Sequence, residues 1–94
     1  MIYHLVEESI WNLVKTSYAP ESLKHEGFIH FSTAEQVDRT YQRFYQGKSM
    51  FLLNVDESKL NAELKFEAAD GELFPHLYGE LNLDAITKVE NYKP

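Results

Sequence analysis

Met50-Phe51-Leu52-Leu53-Asn54-Val55 is a nearly continuous apolar run. A strand with one wet face alternates apolar and polar residues, so a run like this predicts a strand covered on both faces. The covering layers have to come from the same short chain, which has 94 residues and no room for a second core. Residues 1–94 are therefore read as a single domain. Ordering such a chain costs on the order of 100 kcal/mol, so most of its apolar residues have to share one core.

Around that run the pattern changes period repeatedly. Ile2-Tyr3-His4-Leu5-Val6 reads as a first strand. From Glu7 the spacing of Ile10, Leu13, Val14 and Ser17 predicts a helix closed by Pro20, followed by a polar connection over residues 20–26. Gly27 opens a second strand, Phe28-Ile29-His30-Phe31, which runs into Ser32-Thr33-Ala34-Glu35, a sequence with the form of a capping box. Val37, Thr40, Tyr41, Phe44 and Tyr45 make the stripe of a second helix that Gly47 ends. After the apolar run, Leu64–Ala68 alternates as a strand, Asp70-Gly71 signals a hairpin onto Leu73-Phe74, and Ala85–Tyr92 alternates as a last strand. The expected architecture is α+β: a compact β-sheet of five to six short strands with two helices in the N-terminal half.

Charge and composition narrow the function classes. Fifteen acidic against nine basic residues leave a formal charge of -6, which disfavours a nucleic-acid partner held through many phosphates. At 26% charged and 44% hydrophobic residues the chain is expected to fold rather than stay disordered. No apolar stretch is long enough for a membrane helix, and Met1-Ile2-Tyr3-His4 lacks the form of a secretory signal. With no cysteine for disulfides, a cytoplasmic location is expected, and no membrane partner.

Three of the four histidines sit among apolar residues: His4, His30 and His76. An imidazole in such a run needs polar partners, since desolvating it unpaired costs roughly 2–7 kcal/mol. Each taken alone reads as a separately satisfied core histidine; the trio together predicts a shared hollow. His30 and Ser32 project on one side of a strand end, with Thr33 beside them at an expected helix start, where a carboxylate or phosphate can dock. Ser32 and Thr33 also suit a plain capping role. Phe74-Pro75-His76-Leu77-Tyr78-Gly79 forms a rigid segment that aims His76 and Tyr78. Glu67, on the neighbouring strand, is a candidate to orient a histidine or to act as acid or base. Arg39 and Arg43 lie on one helix face, usually a solvated one; either could clamp a phosphate, and Arg43 is taken as the candidate ligand contact. His25 between Lys24 and Glu26 reads as exposed and ordinary. Three imidazoles suit zinc, but nothing in their spacing selects it, and no metal is expected.

At these motifs the chain resembles the domain-of-unknown-function family 952. The likeness runs through Ile2-Tyr3-His4, Gly27–Val37, Arg43-Phe44, Phe66-Glu67 and Phe74–Gly79, nearly the whole chain. Val6 and Phe66 depart from it, standing where a capping hydroxyl and a Trp are usual. The resemblance implies a compact ADP-ribosyltransferase-like fold, a split β-sheet clasping NAD. It matches His4 to a histidine that holds the nicotinamide ribose, places His30, Ser32 and Thr33 along the cleft, and leaves Glu67 and His76 competing for the third catalytic place. An RNA 2′-phosphotransferase of the same fold points instead to His4, His30 and Arg43.

The leading expectation is thus a small-ligand site for NAD or an ADP-ribose compound, with His4, His30, His76 and Glu67 as catalytic candidates and Ser32, Thr33, Arg43 and Tyr78 as ligand contacts. NAD would be substrate rather than resident cofactor. One alternative is a phosphoesterase using His30 and Ser32, because His30-x-Ser32 resembles half of a two-histidine signature. The other is a catalytically inactive protein-interaction module with a structural histidine set. Oligomeric state is not readable from the sequence.

Overall fold

The computed structural model describes residues 1–93. Its elements in chain order are β1 (Ile2–Glu7), α1 (Glu8–Trp11), β2 (Ser17–Tyr18), α2 (Glu21–His25), β3 (Ile29–His30), α3 (Val37–Phe44), β4 (Met50–Val55), β5 (Glu63–Ala69), β6 (Glu72–Tyr78), β7 (Leu81–Asn82) and β8 (Ile86–Tyr92), with two single 3₁₀ turns at Glu57–Lys59 and Leu83–Ala85. The chain is a small α+β domain, and the strand pairs described are antiparallel.

The apolar run becomes β4, the middle strand of a sheet ordered β1-β4-β8. Its two faces serve two clusters. Phe51, Leu53 and Val55 join Ile2 and Val6 of β1 in the main core, together with Ile29, Phe31, Leu77 and Leu81. Met50 and Leu52 pack on the other side with Leu5, Val37 and Tyr41, so α3 covers that face. The expectation of a strand covered on both sides holds, because period-two alternation sends equally apolar side chains to both layers.

A second sheet is ordered β3-β6-β5, and β5 and β6 form the expected hairpin. Asp70 and Gly71 close it with φ of 50° and 81°, the positive pair that a two-residue type I′ turn demands. The two sheets meet through one stretch of chain. Ile29 and His30 pair with β6, and Ser32 then bridges to Tyr3 of β1, with Tyr3 N–H donating to Ser32 O at 2.9 Å and Ser32 N–H donating to Tyr3 O at 2.7 Å. At the exit of β6, Gly79 is required by close approach: a Cβ there would lie 2.6 Å from Cβ of Ala62.

Several expectations are corrected. The first helix ends at Trp11, and residues 17–18 form β2, paired with β7. Leu13, a member of the expected stripe, is 78% exposed, while Tyr18 is buried at 4%. Burying Tyr18 in the core outweighs the local helical spacing, which lacks a capping side chain at Glu7. The polar connection contains the short helix α2, so the N-terminal half carries three helices rather than two. α3 starts at Val37, not at Ser32-Thr33. Only half of a capping box is made, one residue later than expected: Thr33 N–H donates to the Gln36 side-chain Oε1 at 2.9 Å, whereas Gln36 N–H donates to the Thr33 backbone carbonyl at 3.0 Å, an ordinary turn bond.

Candidate functional site

Antiparallel pairing of β3 with β6 sets His30 directly opposite His76. Cross-strand partners share a face, and the two rings lie edge to face with centroids 5.4 Å apart. Phe28 stacks on His76 at 4.1 Å and 22° and meets His30 edge-on at 4.8 Å. His76 is 6% exposed. Its Nδ1 lies 2.9 Å from Glu67 Oε1, which also accepts from the Tyr78 hydroxyl. The hydrogen bonds from Tyr78 and His76 hold the Glu67 carboxyl below the usual range, and the same bond from the phenol pushes Tyr78 up. Glu67 can only accept, so His76 Nδ1 carries a proton and, in the neutral ring, Nε2 is the bare nitrogen. Glu67 and His76, expected as rivals for one role, form one pair. His30 is held in a parallel way, its Nε2 2.6 Å from Glu26 Oε1 at the end of α2.

His30, Ser32, Arg43 and His76 line one cavity of about 480 Å³, together with Arg39 and Thr40 of α3. Ser32 Oγ lies 3.2 Å from Thr40 Oγ1. Arg39 is bound by both carboxylate oxygens of Glu72, and Arg43 Nη1 lies 2.5 Å from Asp70 Oδ2. Thr33, Tyr78 and Glu67 are not on the cavity wall; Glu67 and Tyr78 stand behind His76.

His4 also reaches the cavity, but its chemistry is committed elsewhere. His4 Nδ1 lies 2.5 Å from the carbonyl oxygen of His30, which can only accept, so Nδ1 carries the proton; Nε2 then accepts from Tyr18 Oη at 2.8 Å. Burial pushes its pKa from 6.5 to about 4 and raises that of Tyr18. Both His4 ring nitrogens have partners within the protein, and the ring ties β1 to β2 and β3. Tyr18, which completes this arrangement, was hidden inside the expected helical stripe. Its one sequence signal is a Ser17-Tyr18 pair just ahead of Pro20.

The expected anion seat at a helix start is corrected. Ser32 N–H is spent on Tyr3 and Thr33 N–H on Gln36, so cationic side chains, not free backbone amides, face the cavity. Arg39, weighed with Arg43 as a clamp, is on the cavity wall, and so is Thr40, which the sequence reading placed only in the apolar stripe of the helix. Among the described residues no three His, Cys, Asp or Glu side chains are grouped as metal ligands would be.

The fold and site together define a small antiparallel α+β domain with a histidine- and arginine-lined cavity between its sheets and α3. The chain belongs to the family described as protein of unknown function (DUF952), whose model matches residues 5–89. It is similar to the crystal structure of protein CC0527 from Caulobacter crescentus, with 30% identity and a TM-score of 0.88 over 98% of this chain and 85% of that one. A double-methionine variant of the same protein matches with 30% identity and a TM-score of 0.86, covering 98% of this chain and 85% of the variant. No curated protein matches the sequence.

Proposed function

We propose that the cavity binds a small anionic ligand of the NAD or ADP-ribose class, with His30 and His76 at its reacting end and Arg43 and Ser32 at its charged end. The observation that carries this reading is that His30, Ser32, Arg43 and His76, drawn from distant parts of the chain, line one hollow of about 480 Å³. Mixed apolar and polar walls of this size suit a nucleotide-sized molecule. His76 supplies an Nε2 oriented by the Glu67 bond to Nδ1, the arrangement expected of a group that takes a proton from water or a sugar hydroxyl during transfer or hydrolysis. His4 serves by holding the His30 backbone in place. Two sheets bridged along Ile29–Ser32 favour a split-sheet, ADP-ribosyltransferase-like reading of the fold.

The test is a titration with NAD and with ADP-ribose, followed by nitrogen-edited NMR of the histidine rings. His30 and His76 are expected to shift while His4 stays fixed. Unmoved His30 and His76 signals at millimolar ligand would end this reading.

A phosphoesterase is the second reading, favoured by one specific feature: two adjacent imidazoles, each with a carboxylate partner, at 5.4 Å centroid separation. Such a pair can act as base and acid on a phosphate ester. Turnover of 2′,3′-cyclic phosphates, abolished by His76→Gln, would select it over the first.

A further inference from the structure

The charged end of the cavity carries a feature that the ligand reading above uses only in part. Arg39 and Arg43 lie one helical turn apart on α3, and the tip of the β5–β6 hairpin supplies a carboxylate to each. Arg39 Nη2 donates to Glu72 Oε1 at 2.8 Å while Nη1 donates to Glu72 Oε2, and Arg43 Nη1 donates to Asp70 Oδ2 at 2.5 Å. Between the two arginines in sequence, Thr40 sets its hydroxyl 3.2 Å from that of Ser32. Two guanidinium forks and two hydroxyls form a donor set suited to phosphoryl oxygens.

The carboxylates order the two guanidinium forks at the cavity. They hold them weakly, because the Arg39 and Arg43 side chains are 63% and 57% exposed and such pairs are screened by water. A phosphoryl group brings more charge and more acceptor oxygens than a carboxylate, so it competes well for both arginines. The hairpin has a tie to α3 besides the ion pairs, from Gln36, which also donates to Glu72 Oε1 at 3.3 Å. Gln36 Nε2 donates to Leu73 O at 2.9 Å, a neutral tie between the start of α3 and the hairpin.

We propose that Arg39 and Arg43, with Ser32 and Thr40, are the seat for a diphosphate group, and that Asp70 and Glu72 are exchangeable counter-ions which that group displaces without opening the hairpin. This deepens the ligand reading by naming the recognised group, and it rests on that reading only for what the diphosphate is attached to.

Inorganic pyrophosphate is the probe, titrated calorimetrically into the whole chain and three variants. Asp70→Asn with Glu72→Gln is expected to bind about tenfold more tightly than the parent, the order expected for releasing two weak ion pairs. Arg39→Gln with Arg43→Gln is expected to lose binding. Glu8→Gln with Glu63→Gln, which changes net charge equally but lies off the cavity wall, is expected to change affinity by less than about twofold. Circular dichroism checks folding, and Asp70→Asn alone reads the same effect at Arg43 if the double variant does not fold. No gain over the charge-matched control, or no pyrophosphate binding by any form, overturns the seat. Pyrophosphate binding without a histidine response to ADP-ribose keeps the seat and overturns the nucleotide reading; the reverse outcome overturns the seat alone.

Discussion

His4 and His76 are almost equally buried, at 9% and 6% exposure, yet their surroundings divide them. His4 gives both nitrogens to the protein, one to a backbone carbonyl and one to a phenol, and its ring sits against Tyr18 and Phe31. His76 gives one nitrogen to a carboxylate and leaves the other at a cavity. Burial alone therefore does not separate a structural from a reactive histidine. What separates them is the identity of the acceptor and the number of nitrogens left over. A carbonyl and a hydroxyl together saturate a neutral ring, whereas a lone carboxylate orients a ring and leaves its second nitrogen without a protein partner.

The sharpest way to break this contrast is to truncate each ring. His4→Ala leaves a core cavity, an unpaired Tyr18 hydroxyl and an unpaired His30 carbonyl, and is expected to cost about 3 kcal/mol in denaturant unfolding. His76→Ala is expected to cost clearly less and to remove the ligand response. A His4→Ala protein as stable as the parent but unable to bind ligand would reverse the assignment.

Acid tests the same contrast next. The folded His4 is depressed from 6.5 to about 4, so the unfolded chain binds its proton first as pH falls. Its contribution to stability is full above pH 6.5, drains away between 6.5 and about 4, and changes no further below that. The total is about 3 kcal/mol, with about 2 kcal/mol gone by pH 5. Glu67, whose carboxyl is lowered, adds loss only below its usual value of 4.5. Unfolding free energies at pH 7 and pH 5 measure the effect, and His4→Gln is expected to flatten the slope between them. An equal slope in both proteins would show that His4 is not the group responsible.

Much of this frame is legible in the sequence where one local rule decides. Met50–Val55 reads as a doubly covered strand because five of its six residues are apolar and fall on both faces, and Asp70-Gly71 reads as a hairpin because few other pairs accept two positive φ angles. Residues 7–20 are illegible for the opposite reason: helical spacing there competes with a two-residue pairing to Leu81-Asn82, which lies 63 or more residues away and leaves no local pattern. The site divides the same way. His30 and His76 are visible as polar residues in apolar runs, but their register, the Glu67 pairing and the Tyr18 bond to His4 are set by strand alignment. Thr33 shows the cost of reading a cap locally, since its amide goes to Gln36 and its side chain is not on the cavity wall.

Glu67→Gln gives the smallest and most specific effect. A carboxylate accepts from His76 and Tyr78 at once, and this double demand is what places the imidazole proton on Nδ1. An amide oxygen can still accept, but the amide nitrogen can donate to the ring instead, so the variant permits both tautomers. Nitrogen shifts of His76 are expected to report one dominant tautomer in the parent and a mixture in Glu67→Gln, while the His4 signals and the melting temperature stay unchanged. Affinity for ADP-ribose is expected to fall by only a few-fold, because Glu67 is not on the cavity wall and acts through the ring it orients. Glu26→Gln, made at the partner of His30, should leave the His76 tautomer untouched. A single unaltered His76 tautomer in Glu67→Gln would mean that the strand backbone, and not the carboxylate, aims this ring, and the distinction between His4 and His76 would then rest on cavity access alone.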